Sequence, residues 1–186
     1  MAIFKYLSDN PETANAVVAA IGVLVALFAL WVSVYSNRTA RKSLEIQHRH
    51  NVLSVRPIPE ITIADYENSL RVRLRNNGMG TLIVENSWFE TSERWESALV
   101  YMMPRLPPNR PWNHFTSDIA GRTIQPGKYL HLLELTKNEN ELEFGKTRDL
   151  VRASLKDITI TVQYTDVYET HFPYYIKNLS WFGRNL

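Results

Sequence analysis

The sequence predicts a mainly β fold: one N-terminal transmembrane helix with a cytoplasmic helical stalk, then an antiparallel β-sandwich with one helical insertion. Three observations carry this expectation. Residues Ala16–Tyr35, AVVAAIGVLVALFALWVSVY, contain no charge and only Ser33 and Tyr35 as polar side chains. Beyond Pro57 apolar residues recur at every second position. One later stretch, Glu139–Lys156, departs from that period and reads as a helix. The implied organisation is a tail over 1–15, a membrane helix over 16–36, a juxtamembrane stalk over 37–56 and a cytoplasmic β domain over 57–186.

The apolar run, as a helix, is about 30 Å long, the thickness of a bilayer's hydrocarbon core. Trp31 and Tyr35 stand near its C-terminal end, where amphipathic rings favour the interface. A cleaved signal peptide fits less well: the run is long, Lys5 is the sole basic residue before it, and no A-x-A site follows. A buried core helix is the remaining alternative. Lys5, Asp9 and Glu12 precede the span, whereas Arg38, Arg41, Lys42, Arg49 and Arg56 follow it. That excess of basic residues predicts an N-terminus outside and a cytoplasmic C-terminal domain.

Alternate steps of four and three along this helix give Asn15, Ala19, Gly22, Ala26, Ala29, Ser33, Ser36, Ala40 and Ser43, all small or a short amide. Leu24, Leu27, Phe28, Leu30 and Trp31 fall off the stripe. Close packing of membrane helices needs small residues in such a register, because lipid supplies no hydrophobic drive for association. A homo-oligomeric bundle through Ala19, Gly22, Ala26, Ala29 and Ser33 is the expectation; the bland alternative is that Ala and Gly are common in membrane helices. The helix should continue as a stalk and end before Arg56-Pro57, since a residue preceding proline resists the α region. His48 and His50, two apart on that stalk, do not share a helix face and read as solvated residues.

The chain has 186 residues, 45% hydrophobic and 22% charged, with a formal net charge of +2. The hydrophobic fraction argues against disorder, and the small charge offers no attraction to duplex nucleic acid. With no cysteine, disulfides, thiolate catalysis and cysteine-based zinc sites are excluded, which suits a reducing compartment.

In the C-terminal region Ile61 and Ile63 alternate with Thr62 and Ala64; Leu70, Val72 and Leu74 with Arg71, Arg73 and Arg75; Ile158, Ile160, Val162 and Tyr164 with Thr159, Thr161 and Gln163. Such alternation marks strands with one face on a core and one in water. Thr81–Glu90, Ala98–Met103, Tyr129–Thr136 and Thr170–Lys177 are further strand candidates. Turn chemistry separates them at Glu67-Asn68, Asn76–Gly80, Gln125-Pro126-Gly127 and Thr165-Asp166. For the helical insertion Asn138 is the expected cap, with Leu142, Arg148, Leu150, Val151 and Leu155 on one side.

The segments LRVRLRNNGMGTLIVENSWF, IQPGKYLHLLEL and ITITVQYTDVYETHFPYYI, in that order behind a membrane helix and an R-P entry, resemble a group of bacterial membrane-anchored proteins with immunoglobulin-like β-sandwich domains. Asn76-Asn77-Gly78-Met79-Gly80 and Tyr164-Thr165-Asp166 carry the match; the glycine usual after the second motif is Glu169 here. The resemblance implies a fold and a single pass through a bacterial inner membrane; its signatures concern turns and core packing and inform fold, not function. In layout the chain is also similar to antiphage membrane effectors whose cytoplasmic domain senses a cyclic nucleotide.

No catalytic residue is predicted: G-x-S-x-G, P-loop, H-E-x-x-H and dinucleotide-binding patterns are all absent. No cofactor is called for, and His114, His131 and His171 are scattered singly, which favours surface or satisfied histidines over metal ligands. Asn76–Gly80 joins two strand patterns and reads as a turn, not a phosphate loop. Glu139, Glu141 and Glu143 read as a solvated helix start.

Two features suit an anionic ligand. Arg71, Arg73 and Arg75 share one strand face, about 6.6 Å apart, and guanidinium forks match phosphate. Their bland reading is an outer face paired with glutamates such as Glu60 or Glu85. The loop Met102–Phe115 offers Arg105, Arg110 and Trp112, with His114 and Phe115, to a base and its phosphate, to a protein, or merely as a cap on the domain. In the tail, Trp181, Phe182 and Arg184 suit either the membrane interface or a subunit contact.

The resulting functional expectation is a non-enzymatic homo-oligomeric membrane effector. Its β-sandwich would sense a signal, a cyclic nucleotide or other anion in antiviral defence, and alter the transmembrane bundle in the bilayer. The alternative is an anchored scaffold or adaptor that docks another protein through the sandwich.

Overall fold

The computed structural model of the chain describes residues 11–139 and 141–184. Contacts divide the chain into two units, Met1–Asn51 and Val52–Leu186.

Helix α1 runs unbroken from Pro11 to Ser54. Proline is preorganised for a first helical turn, and Glu12 beside it suits the positive end of the dipole. The helix thus starts within the expected tail, runs through the expected stalk and stops ahead of Arg56-Pro57, as the restriction before proline requires. Its apolar window has a mean hydropathy of 2.7 and none of it is buried. The helix is therefore long and apolar enough to cross a membrane. Lys5 and Asp9, invoked for orientation, lie outside the described residues.

Among the described residues the second unit holds nine strands in two antiparallel sheets. They are β1 (Pro59–Tyr66), β2 (Ser69–Asn76), β3 (Leu82–Glu90), β4 (Trp95–Glu96), β5 (His114–Phe115), β6 (Thr123–Ile124), β7 (Tyr129–Thr136), β8 (Thr159–Thr165) and β9 (Tyr175–Asn178). The first sheet has the order β1-β2-β7-β5 and the second β4-β3-β8-β9, with β6 also paired to β3. Period-two alternation places Leu70, Val72 and Leu74 of β2, and Ile160, Val162 and Tyr164 of β8, in one hydrophobic cluster drawn from both sheets.

Several elements differ from the sequence expectation. Ala98–Met103 contains no strand; Leu99–Met102 forms a 3-10 turn that buries Leu99 and Met102. Of the expected last strand, Thr170–Lys177, only residues 175–177 pair, within β9. Helix α2 spans Phe144–Leu155 and buries Phe144, Thr147, Val151, Arg152 and Leu155. Its N-cap is Glu143, and Asn138 caps nothing: the Asn138 N–H donates to Glu141 Oε2 at 3.1 Å. Leu142, placed on the apolar helix side by spacing, precedes the helix and is 99% exposed. Phe182, expected at an interface, is fully buried in the core, while Trp181 is stacked under the Arg184 guanidinium.

The turn after β2 is held by one buried side chain. Asn76 Oδ1 accepts from the N–H groups of Gly78 (2.9 Å) and Ile58 (3.2 Å), and its Nδ2 donates to the carbonyls of Gly80 (2.7 Å) and Ile124 (3.0 Å). A fully buried amide with donors and acceptors all satisfied fixes three chain segments at one point. Those segments are the entry to β1, the turn itself and the end of β6.

Candidate functional site

The outer face of the first sheet gathers charged and aromatic side chains around the arginine row. Because Leu70, Val72 and Leu74 point inward, Arg71, Arg73 and Arg75 point outward. Arg71 stands opposite Ala64 of β1 and Glu134 of β7, and Arg73 opposite Thr62 and His131. Arg75 stands opposite Glu60 and Tyr129.

His131 and Glu134 are three residues apart, and a regular strand would turn them to opposite faces. The pairing of β2 with β7 shifts register between Val72 and Arg73, leaving Leu132 as an extra residue. Leu132 and Leu133 are both buried, so His131 and Glu134 both reach the arginine face. Spacing alone points to neither as a partner of the row, because the register shift that brings them there is a tertiary feature.

The carboxylate that serves the row is Glu134, not Glu60 or Glu85. Arg73 Nη2 lies 3.5 Å from Glu134 Oε1, and Arg73 Nε donates to His131 Nδ1 at 3.3 Å. Glu60 instead accepts from the Asn77 side-chain amide, and Glu85 accepts from Gln163 on the second sheet. Arg71 and Arg73 also lie over tyrosine rings, 5.6 Å from the Tyr66 centroid and 4.3 Å from that of Tyr129. Cation–π contacts hold a guanidinium without neutralising it. Arg71 Nε is buried without a hydrogen-bond acceptor, and exposed Arg75 makes no ion pair among the described residues. Thr62, Ile63, Ala64, the three arginines and Tyr129 line a cavity of about 220 Å³. Burial holds His131 below its ordinary value near 6.5; Arg73, His114 and Arg71 add to this and Glu134 opposes it.

The proline-rich loop is built differently. Arg110 Nε pairs with Glu141 Oε1 at 2.9 Å, and its other nitrogens donate to the carbonyls of Pro111 (2.8 Å) and Thr136. It clips the loop to the β7–α2 connection, and it lines the groove between that connection and the loop. Trp112 packs partly buried against the core, whereas Arg105 is exposed. The three residues do not converge with Arg71, Arg73 and Arg75 on one cavity.

His114 and His131 have ring centroids 5.1 Å apart, yet no group of three metal-ligating side chains occurs among the described residues. On α1, Ala19, Gly22, Ala26, Ala29 and Ser33 are exposed, and a Cβ on Gly22 would meet nothing within 4 Å. No protein-family model matches the chain, and no curated protein matches it.

Proposed function

We propose that this chain is a non-enzymatic, single-span membrane effector of a bacterial inner membrane. Its C-terminal region is an immunoglobulin-like β-sandwich on the cytoplasmic side that binds an anionic, phosphate-bearing ligand. The observation that carries the reading is the arginine row: three guanidinium groups line one cavity, and a single ion pair to Glu134 leaves most of their charge unneutralised. Bidentate forks flanked by Tyr129 suit a phosphate attached to a planar group, which is the chemistry of a cyclic nucleotide. Orientation rests on the basic residues after the span. Oligomerisation rests on the small-residue register of Ala19, Gly22, Ala26, Ala29 and Ser33, and antiviral action on the layout alone.

The full chain in dye-loaded phosphatidylcholine/phosphatidylglycerol vesicles tests this. A panel of cyclic mono- and dinucleotides should include one that releases dye, and changing Arg71, Arg73 and Arg75 together to Gln should abolish release. Vesicles that stay tight with every member favour the second reading, an anchored scaffold. One observation supports that alternative: Leu142, 99% exposed, stands in the same connection as the walls of a groove of about 680 Å³ between the proline-rich loop and the start of α2.

A further inference from the structure

His131 Nδ1 has two close neighbours that require opposite proton states of the same nitrogen. Arg73 Nε lies 3.3 Å away and donates, which needs a lone pair on Nδ1. Glu134 Oε2 lies 2.8 Å away and accepts, which needs a proton there. Glu134 in turn holds Arg73 through Oε1. The imidazole and the guanidinium thus share the two oxygens of one carboxylate that is only 9% exposed, and Nδ1 can serve Arg73 or Glu134 but not both at once. The ionisable groups facing the imidazole are Arg71 and Arg73 from β2, His114 from β5, and Glu134 with Tyr129 from its own strand.

An anion seated on the row would draw Arg73 toward itself. Glu134 would then lose its guanidinium partner beside a imidazole 26% exposed, and a carboxylate stabilises the charged form of a neighbouring histidine. The anion adds negative charge on the same side. Both effects favour a proton on His131, and linkage makes the converse hold: a protonated His131 takes Glu134 and releases Arg73 for the anion. We propose that anion binding at the arginine row is coupled to uptake of one proton by His131, with Glu134 passing from Arg73 to His131. This rests on the row being an anion site.

The test uses the full chain in phosphatidylcholine nanodiscs and sulfate, a tetrahedral dianion that does not itself titrate between pH 5 and 8. Calorimetry in two buffers of different ionisation enthalpy reads affinity and proton uptake together. Wild-type protein should bind sulfate about tenfold more tightly at pH 5.5 than at pH 7.5, the ratio produced by one unit of coupled pKa change. It should take up protons between those limits. His131→Asn should bind with a flat pH profile and no proton uptake. Glu134→Gln, which frees Arg73 at every pH, should bind more tightly than wild type at pH 7.5. Sulfate that binds through the row, as judged by Arg71→Gln and Arg75→Gln, but with the same pH profile in His131→Asn, overturns the coupling and leaves the anion site standing. Absence of binding at both pH values, or binding indifferent to those arginine changes, overturns the anion site and the coupling with it.

Discussion

A Cβ added to Gly80 would lie 1.5 Å from the carbonyl oxygen of Val55, and one on Gly78 would lie 2.2 Å from that of Arg56. Backbone meets backbone at both points, so no side-chain rotation relieves the clash. Gly80→Ala must push the turn off the residues that lead into β1 and break hydrogen bonds made by Asn76. The expected loss is about 3 kcal/mol, the upper range for overpacking a rigid site. Gly121→Ala is the contrasting variant, since a Cβ there meets nothing within 4 Å and only its φ of 73° opposes the change. Urea unfolding of the full chain in detergent micelles reads both; equal losses would refute the steric account.

The turn's residues were legible in the sequence, but the chain they press against was not. N-N-G-M-G between two alternating runs is a local signal, whereas Val55 is 25 positions from Gly80. The candidate site divides the same way. Arg71, Arg73 and Arg75 follow from the period of β2, which needs no tertiary knowledge. Glu134 and His131 share their face only because of the irregularity at Leu132, and odd spacing argues against such a pairing. Arg110 reads as a free cation until Glu141, 31 residues on, is seen beside it. The two-residue strands β4, β5 and β6 are too short to show a period.

Glu169 adopts φ 56°, the left-handed region that glycine occupies without strain. The turn persists because Asp166 Oδ1 accepts from the N–H groups of Tyr168 (2.9 Å) and Thr170 (3.0 Å). Glu169→Gly should raise stability by about 0.5–1 kcal/mol, the strain relieved less the added chain entropy. Glu169→Ala should gain nothing, because its Cβ remains. An unfolding midpoint that rises as much for alanine as for glycine would count against backbone strain.

The Arg110–Glu141 pair has side chains only 7% and 16% exposed, so removing one partner strands a charge. Arg110→Ala should cost about 3 kcal/mol, and Glu141→Ala nearly as much. The double variant should cost well under the sum, since the second removal leaves nothing further unpaired. Arg110→Lys should not restore stability, because one ammonium cannot serve Glu141 and the carbonyls of Pro111 and Thr136 in the fork geometry. Additive losses in the double-mutant cycle would show that the two side chains act independently.

Tyr175 links the edge strands of the two sheets: the Ile61 N–H of β1 donates to its hydroxyl at 3.0 Å. Burial raises the phenol above its ordinary value near 10, and the Glu60 carboxylate adds to the rise, while the bond from Ile61 opposes it. Above pH 10 the unfolded chain ionises this group before the folded chain does. The unfolded state then binds fewer protons, so stability falls as pH rises through that window. Below pH 10 the contribution is fully present. Tyr175→Phe removes the acceptor for Ile61 and should lower stability at pH 7 by about 1 kcal/mol. It should also flatten the alkaline decline relative to wild type. Parallel urea midpoints for the two proteins between pH 8 and 11 measure that difference, and profiles that stay parallel above pH 10 would exclude Tyr175 as a source of the decline.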